Sequence, residues 1–307
     1  MAMAKNMLFK HLPLSLLWPR LNGRMLALLC VAPGLLLLAG ILWPFIEGVR
    51  WSFCNFTLIQ PKAIRFNEGV NIIAVFTPGT TQFQALLVTL KFALACVVIE
   101  TILGFSVALL LNYPARWTKL FRIIVVMPML VPPIAATIMW RVMLVDRGVI
   151  NYLLTQIGFH PVNWFGSPTM AFWAIVIIDT WIFTPFAILI LLAGLQSIPI
   201  EILEAATIDG AGFWSKLKTI YLPMIWPFLV LVVLFRGIDC LKLFDAIWSS
   251  TQGGPIGATE NLAVYAYQQG MSYLDFGQSM AALFVLWILC YILSAVLLSL
   301  RRKELLN

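Results

Sequence analysis

The chain has 307 residues, of which 62% are hydrophobic and only 11% are charged, and its mean hydropathy is +0.95. A soluble domain usually has about 25% charged residues, so this composition excludes a water-soluble enzyme with an ordinary core. The apolar surface is too large to bury inside a globule of this size, and lipid must solvate much of it. The net charge of +7 comes from basic residues beside apolar segments, which indicates membrane orientation rather than nucleic-acid binding.

Six apolar segments are each long enough to cross a hydrocarbon core of about 30 Å, which needs roughly 20 helical residues. They predict an all-α integral membrane protein with transmembrane helices at residues 25–46, 84–112, 119–141, 169–192, 224–240 and 278–300. The third segment contains three prolines that must interrupt its hydrogen bonds, so this helix either lines a cavity or has a static kink. A transmembrane domain is therefore expected at 25–300, between an N-terminal segment, 1–24, and a tail, 301–307.

The distribution of Lys and Arg predicts the orientation of these helices. Twelve of the 20 basic residues lie in the N-terminal segment, near the loops at 113–120 and 193–223, and in the tail, whereas six lie in or beside the other loops. By the positive-inside rule, both termini of this multi-pass protein are expected on the cytoplasmic side of the membrane. The loops at 47–83, 142–168 and 241–277 are then external.

The sequence contains none of the common signatures of metal binding or catalysis. No two of the five cysteines form a CxxC pair, and the two histidines are too few and too far apart for a zinc site. The chain has no Gly-Lys dipeptide and therefore no phosphate-binding loop for ATP. It also lacks the HExxH and GxSxG motifs. We expect a non-catalytic chain that binds no metal and no cofactor itself.

The predicted cytoplasmic loop at 196–223 has the pattern of a helix, a turn and a second helix. Pro199 suits a helix start, two acids follow in the first turns, and Gly210 can end the helix. A second amphipathic stretch, 213–221, leads into the next span. A helix that merely rests on lipid headgroups is the simpler alternative, but it would not require Asp209 and Gly210 at the turn.

Within this loop, acidic, small and apolar residues have a defined spacing. The loop contains Glu204-Ala205-Ala206, then Asp209-Gly210, and after nine more residues Ile220 followed by Leu222-Pro223. This pattern resembles the EAA loop of the membrane permease subunits of binding-protein-dependent ABC importers. Two further segments, Trp43-Pro44 and Thr251-Gln252-Gly253-Gly254-Pro255, resemble the MalF-type subunit of carbohydrate importers rather than the MalG-type subunit.

The resemblance implies the type I ABC importer permease fold, with six transmembrane helices and this loop as the coupling helix. Glu204 matches the Glu that forms an ion pair with the ATPase in the family, and Asp209 and Gly210 shape the turn. The implied partners are a second, homologous permease subunit of the MalG type, two copies of a cytoplasmic ABC ATPase that binds ATP and Mg, and a periplasmic or extracellular solute-binding protein. The expected function is import of a sugar, a polyol or a sugar derivative through the permease heterodimer.

Ionisable residues inside the spans are candidates for the solute pathway, because each is costly unless it is paired or hydrated. Counted from Glu204, the positions that match the family's solute-lining helices are Asp179, Trp181, Ile182, Phe183 and Phe186 on the first helix and Arg236 and Cys240 on the second. If Arg236 faces a cavity, an anionic solute such as a phosphorylated or sulfonated sugar is favoured, with Asp179 holding hydroxyls or balancing the charge. Alternatively, Arg236 pairs internally with Asp179 or Asp239 and only fixes helix packing. Glu100 is expected to meet a neighbouring helix.

Two other classes of protein remain to be compared with an importer subunit. An ion-coupled secondary transporter of a small polar solute would have inverted repeats and ion ligands near the membrane midplane, and it leaves the EAA pattern unexplained. An intramembrane enzyme would need catalytic motifs that this sequence lacks. Either of these would work without an ATPase.

Overall fold

The structure is a computed structural model that describes residues 23–113 and 116–304. Over these residues, the helices are α1 (Gly23–Ser52), α2 (Val70–Phe76), α3 (Thr81–Asn112), α4 (Thr118–Val126), α5 (Pro133–Met143), α6 (Val149–Gln156), α7 (Pro168–Gln196), α8 (Ile200–Ile208), α9 (Phe213–Lys216), α10 (Leu222–Leu241), α11 (Asp245–Ser250), α12 (Leu262–Tyr267) and α13 (Phe276–Glu304). Most of the predicted N-terminal segment, 1–24, and residues 305–307 of the predicted tail lie outside the described residues.

Five described helices are long and apolar enough to cross a membrane: Val31–Ser52, Thr81–Asn112, Pro168–Gln196, Phe213–Leu241 and Phe276–Ser299. A sixth crossing is obtained when the helical segment Thr118–Leu130 and the following helix Pro133–Met143 are counted together. The all-α membrane fold is thus confirmed, with five to six apolar spans.

The predicted third helix, 119–141, is not one straight helix, because its two halves meet at 97°. Val131 and Pro132 between them have extended backbone, with ψ values of 130° and 134°. Proline disfavours the helical conformation of the residue before it and donates no backbone hydrogen bond. The Pro132-Pro133 pair therefore breaks this segment.

The predicted fifth helix, 224–240, is longer in the structure. The helix Phe213–Leu241 runs for 29 residues and includes α9, a π-helical turn at Leu217–Tyr221 and α10. The π turn lies directly before Pro223, where the N–H of Leu222 donates to the carbonyl of Leu217. A wider turn accommodates the chain at a point where proline cannot donate to the preceding turn.

The chain divides after Arg50 into two compact units. In the first unit, Arg50 pairs with Glu47 at 3.1 Å near the end of α1. In the second, strands β1 (Cys54–Asn55) and β2 (Arg65–Phe66) form an antiparallel pair. Two backbone hydrogen bonds, from Leu58 to Leu274 at 2.9 Å and from Gly277 to Phe56 at 3.0 Å, join this part to the start of α13.

The centre of the core of the second unit is formed by α3, α7 and α10. One buried cluster lies at the end of these helices nearest α8 and contains Ala108, Leu191 and Ile225. A second cluster, nearer the other end, contains Phe92, Ile175, Cys96 and Cys240. Along each of the three helices, a charged residue occupies the stretch between the two clusters: Glu100 on α3, Asp179 on α7 and Arg236 on α10.

The close packing of α3 on α7 depends on a glycine. A Cβ atom on Gly104 would lie 2.6 Å from the Cβ of Ala187, which is shorter than a van der Waals contact allows. The two backbones can approach this closely only because position 104 has no side chain, as at small-residue contacts in other membrane helices.

Gly104→Ala is therefore expected to lower the free energy of unfolding by about 1–3 kcal/mol, which is typical of overpacking. The measurement is the thermal unfolding midpoint of the purified chain in detergent. Ala187→Gly removes the nearest atom, so the double variant should recover part of the loss relative to Gly104→Ala. Equal midpoints for wild type and Gly104→Ala would contradict the close contact.

Candidate functional site

Arg236 is buried at the centre of the core between acidic residues of two other helices. Its Nε donates to Oε2 of Glu100 at 2.5 Å, and its Nη2 donates to Oε1 of Glu100 at 2.9 Å. The same Nη2 donates to Oδ2 of Asp179 at 2.7 Å. Arg236 and Asp179 are each 1% exposed, and Glu100 is fully buried. The predicted internal pair with Asp179 is therefore present, and Glu100 does meet a neighbouring helix.

Two cysteines lie beside this ion cluster. Cys96 lies one helical turn before Glu100, and Cys240 lies one turn after Arg236 and 3.3 Å from its Nη2. The ligand atoms of Cys96, Glu100, Asp179 and Cys240 all lie within 4.8 Å of one another, as in a metal site. The guanidinium of Arg236 already contacts three of these four residues and supplies the positive charge. We therefore interpret the group as an ion-pair cluster.

The ion cluster borders a cavity of about 320 Å³. This volume is at the lower end of the range, about 300–1,000 Å³, that is usual for small-molecule sites. The cavity is lined by Pro133, Asp179, Ile182, Phe183, Arg236, Asp239, Lys242, Leu243, Phe244, Asp245 and Ala246. We refer to it as the polar cavity. The segment that contains the broken third span contributes Pro133 to its wall.

Four of the seven predicted pathway residues line the polar cavity: Asp179, Ile182, Phe183 and Arg236. Phe183 covers the guanidinium, whose carbon lies 4.1 Å from the ring centroid. This is the arrangement of a cation–π contact. These four side chains thus lie together on one side of the cavity, and their role in a solute pathway stays a prediction.

The other three predicted pathway residues lie elsewhere. Trp181 packs edge-on against Trp140, with ring centroids 5.6 Å apart, and lines a separate apolar cavity of about 530 Å³. Phe186 packs against Phe235, with centroids 6.0 Å apart. Cys240 is fully buried beside Arg236 and is not part of the cavity wall.

The rim of the polar cavity contains charges that are not among the predicted pathway residues. Asp239 is about half exposed, with Oδ2 at 3.8 Å from Nη1 of Arg236 and Oδ1 at 3.9 Å from Nζ of Lys242. Asp245, the first residue of α11, also lines the cavity. Asp239 lies three residues after Arg236, and Lys242 lies three residues after Asp239, and this spacing was the available signal for the two contacts.

The predicted coupling loop forms a second candidate site. Helix α8 begins after Pro199 and ends at Ile208, and Gly210 has a left-handed backbone with φ of 76°. The N–H groups of Gly210 and Ala211 donate to the carbonyls of Thr207 and Ala206, at 3.0 and 2.9 Å. This glycine C-terminus closes the helix in the predicted way.

One side of the coupling loop is anchored and the other is exposed. Leu203 and Ile220 pack on the buried cluster that contains Ile225, and Leu222 and Pro223 begin α10. Glu204, Ala205, Asp209 and Gly210 are exposed, whereas Ala206 is half-buried. Large apolar side chains are exposed beside them: Ile208 at 86%, Trp214 at 70% and Phe213 at 56%. The loop therefore presents an acid next to an apolar surface.

Comparison with known sequences identifies relatives of this chain. The family described as "Binding-protein-dependent transport system inner membrane component" matches residues 100–304. The trehalose/maltose transport system permease protein MalF of Thermococcus litoralis is 45% identical over 181 residues, which are 59% of this chain and 61% of that protein. The sulfoquinovosyl glycerol transport system permease protein SmoG of Agrobacterium fabrum is 34% identical over 300 residues, which are 96% of each chain.

The fold also matches a solved structure. A chain of a bacterial ABC transporter involved in the import of the acidic polysaccharide alginate superposes with a TM-score of 0.77. The match covers 91% of this chain and 95% of that one at 19% identity, and it concerns the fold.

The ion cluster predicts a specific pattern of stability. Arg236→Met should lower the free energy of unfolding by about 3–5 kcal/mol, because it leaves Glu100 and Asp179 buried without a cation. The triple variant with Glu100→Gln and Asp179→Asn has no unpaired charge and should unfold at a higher temperature than Arg236→Met. Thermal unfolding in detergent measures both. A triple variant less stable than the single variant would contradict the assignment of the loss to uncompensated charge.

Proposed function

Because this chain belongs to the family of binding-protein-dependent transport system inner membrane components, we propose that it translocates a sugar, a polyol or a sugar derivative across the membrane. An external solute-binding protein delivers the solute. ATP-driven closure of the partner ATPase subunits supplies the energy, and the loop at 196–223 transmits it. The chain itself is a non-catalytic, multi-pass permease subunit.

The observation that carries this proposal is the exposed surface of the coupling loop. Glu204 and Asp209 are exposed, and Ile208, Phe213 and Trp214 expose apolar area next to them. An apolar surface of this kind outside the hydrocarbon core needs a partner to cover it. An ATPase with a complementary cleft and a basic residue for Glu204 fits the surface.

The sugar class rests on the relatives. The Thermococcus litoralis protein belongs to a trehalose/maltose system, the Agrobacterium fabrum protein to a sulfoquinovosyl glycerol system, and the similar structure to an alginate importer. All three solutes are carbohydrates or carbohydrate derivatives. The polar cavity combines apolar walls with charged groups, which is the composition expected of a site that holds such solutes.

The complete importer has further subunits in this proposal. A second, homologous permease of the MalG type pairs with this chain, and two copies of a cytoplasmic ABC ATPase bind ATP and Mg. The chain lies in a bacterial inner membrane in this proposal. Both of its termini are on the cytoplasmic side, which is the orientation that the distribution of basic residues predicts.

Glu204→Lys should abolish solute-stimulated ATP hydrolysis by the reconstituted importer, because it places a cation where the ATPase is expected to present one. Membrane insertion should be unchanged, since Glu204 is exposed and has no structural partner among the described contacts. The measurement is ATP hydrolysis with and without solute-loaded binding protein.

Asp146→Lys is the matched control for Glu204→Lys, because Asp146 is an exposed acid in a loop predicted to be external. It should leave hydrolysis at the wild-type rate. Normal stimulation in Glu204→Lys would refute the coupling role. Uptake driven by an ion gradient in the absence of ATP would instead favour a secondary transporter.

Trp214→Ala should weaken association with the ATPase about fivefold or more, since exposed tryptophans are frequent energetic centres of interfaces. The measurement is the amount of ATPase that co-purifies with the tagged chain at increasing salt. Trp117→Ala is a control of similar exposure, 68% against 70%, at the start of α4. Equal losses for both variants would contradict a specific contact at Trp214.

A further inference from the structure

The charges around the polar cavity define what kind of solute it accepts. We propose that this cavity admits an uncharged, hydroxyl-rich solute and discriminates against anions, with Asp179 as an acceptor for a solute hydroxyl and Arg236 as a positioning residue. This inference rests on the proposed function and specifies its substrate class.

The positive charge of Arg236 is compensated by carboxylates, and most of its N–H groups already donate to them. Glu100 takes hydrogen bonds from Nε and Nη2 in a bidentate contact, and Asp179 takes a second hydrogen bond from Nη2. The remaining Nη1 lies 3.8 Å from the carboxylate of Asp239. An incoming anion could approach only Nη1, beside the carboxylate of Asp239, because Nε and Nη2 are held by the bidentate contact with Glu100 and the bond to Asp179.

Carboxylates also outnumber cations on the wall of the cavity. Among the residues that line it, three are acidic (Asp179, Asp239 and Asp245) and two are basic (Arg236 and Lys242). Lys242 lies 3.9 Å from Asp239, so its charge too is partly compensated. Excess negative charge in a cavity with apolar walls repels anions more strongly than it would in open water.

Asp179 provides a second, independent indication of a ligand. Its Oδ2 is bonded to Arg236, whereas its Oδ1 is buried and accepts no hydrogen bond from the residues that the structure describes. Buried polar atoms nearly always have a hydrogen-bond partner, so this oxygen is free to accept a hydrogen bond from a bound molecule. A sugar hydroxyl can donate to it, and a sulfonate or carboxylate group cannot. Ile182, Phe183 and Leu243 supply apolar contacts for the remainder of the solute.

The test measures the charge selectivity of the cavity without knowledge of the solute. Pro133→Cys places a thiol in the cavity wall and keeps the backbone carbonyl that accepts from Thr137. The full chain, purified in detergent with its partner subunits, is reacted with 2-hydroxyethyl or 2-sulfonatoethyl methanethiosulfonate. These reagents differ mainly in charge. The local electrostatic field changes the reactivity of the thiol by the same factor for both reagents. The ratio of the two reaction rates therefore reports access by a neutral molecule relative to an anion.

Ile256→Cys calibrates the ratio at an open surface, because Ile256 is 95% exposed. The rate ratio at position 133 should exceed the ratio at position 256 by at least tenfold. Adding Asp179→Asn to Pro133→Cys should lower it severalfold, whereas adding Asp146→Asn, an exposed acid that does not line the cavity, should leave it unchanged. The native chain, reacted in parallel, corrects for its own cysteines.

A ratio at position 133 equal to or below that at position 256 would overturn the inference. If Pro133→Cys does not fold, Phe244→Cys reports on the same cavity. The outcome is separable from the proposed function. Absence of ATP-dependent uptake would refute the proposed function without changing the rate ratio. Equal access of anions in a working importer would refute only the proposed discrimination against anions.

Discussion

The packing of this protein depends on one buried cation, the guanidinium of Arg236. A charged group at membrane depth is costly unless acids surround it, so α3 and α7 must bring Glu100 and Asp179 to α10. Gly104 lies one turn after Glu100 on α3 and allows α3 to approach α7 within a distance that a side chain would prevent. The ion cluster and the close helix contact thus lie one turn apart on α3, and both hold the helices that form one wall of the polar cavity.

Features that depend on local spacing could be predicted from the sequence. The apolar segments predicted the membrane class, and Pro199 and Gly210 predicted where the helix in the loop at 196–223 begins and ends. The prolines gave the break in the third span, because a missing N–H has the same effect in any context. The 97° angle at that break could not be predicted, since it depends on what each half packs against.

Features that depend on which helices are neighbours could be predicted only in part. Glu100 and Arg236 are 136 residues apart, and a single sequence gives the face of each helix but not the helix that it meets. Because the neighbouring helices are unknown from the sequence, it could not be predicted that Ile182 and Phe183 line the cavity while Trp181 does not. Adjacent residues on a helix point about 100° apart, so a run of candidates on one helix must divide between two environments.

The continuous 29-residue helix from Phe213 to Leu241 has a mechanical consequence. Trp214, on the exposed loop surface, and Arg236, in the ion cluster, are separated by 22 residues of the same rod, or roughly 33 Å at about 1.5 Å per residue. When one end of a continuous helix is displaced, the helix tilts and its other end is displaced as well. A displacement of the loop would therefore reach the guanidinium along a single helix, and the π turn at Leu217–Tyr221 and Pro227 are the points between them where this helix can bend.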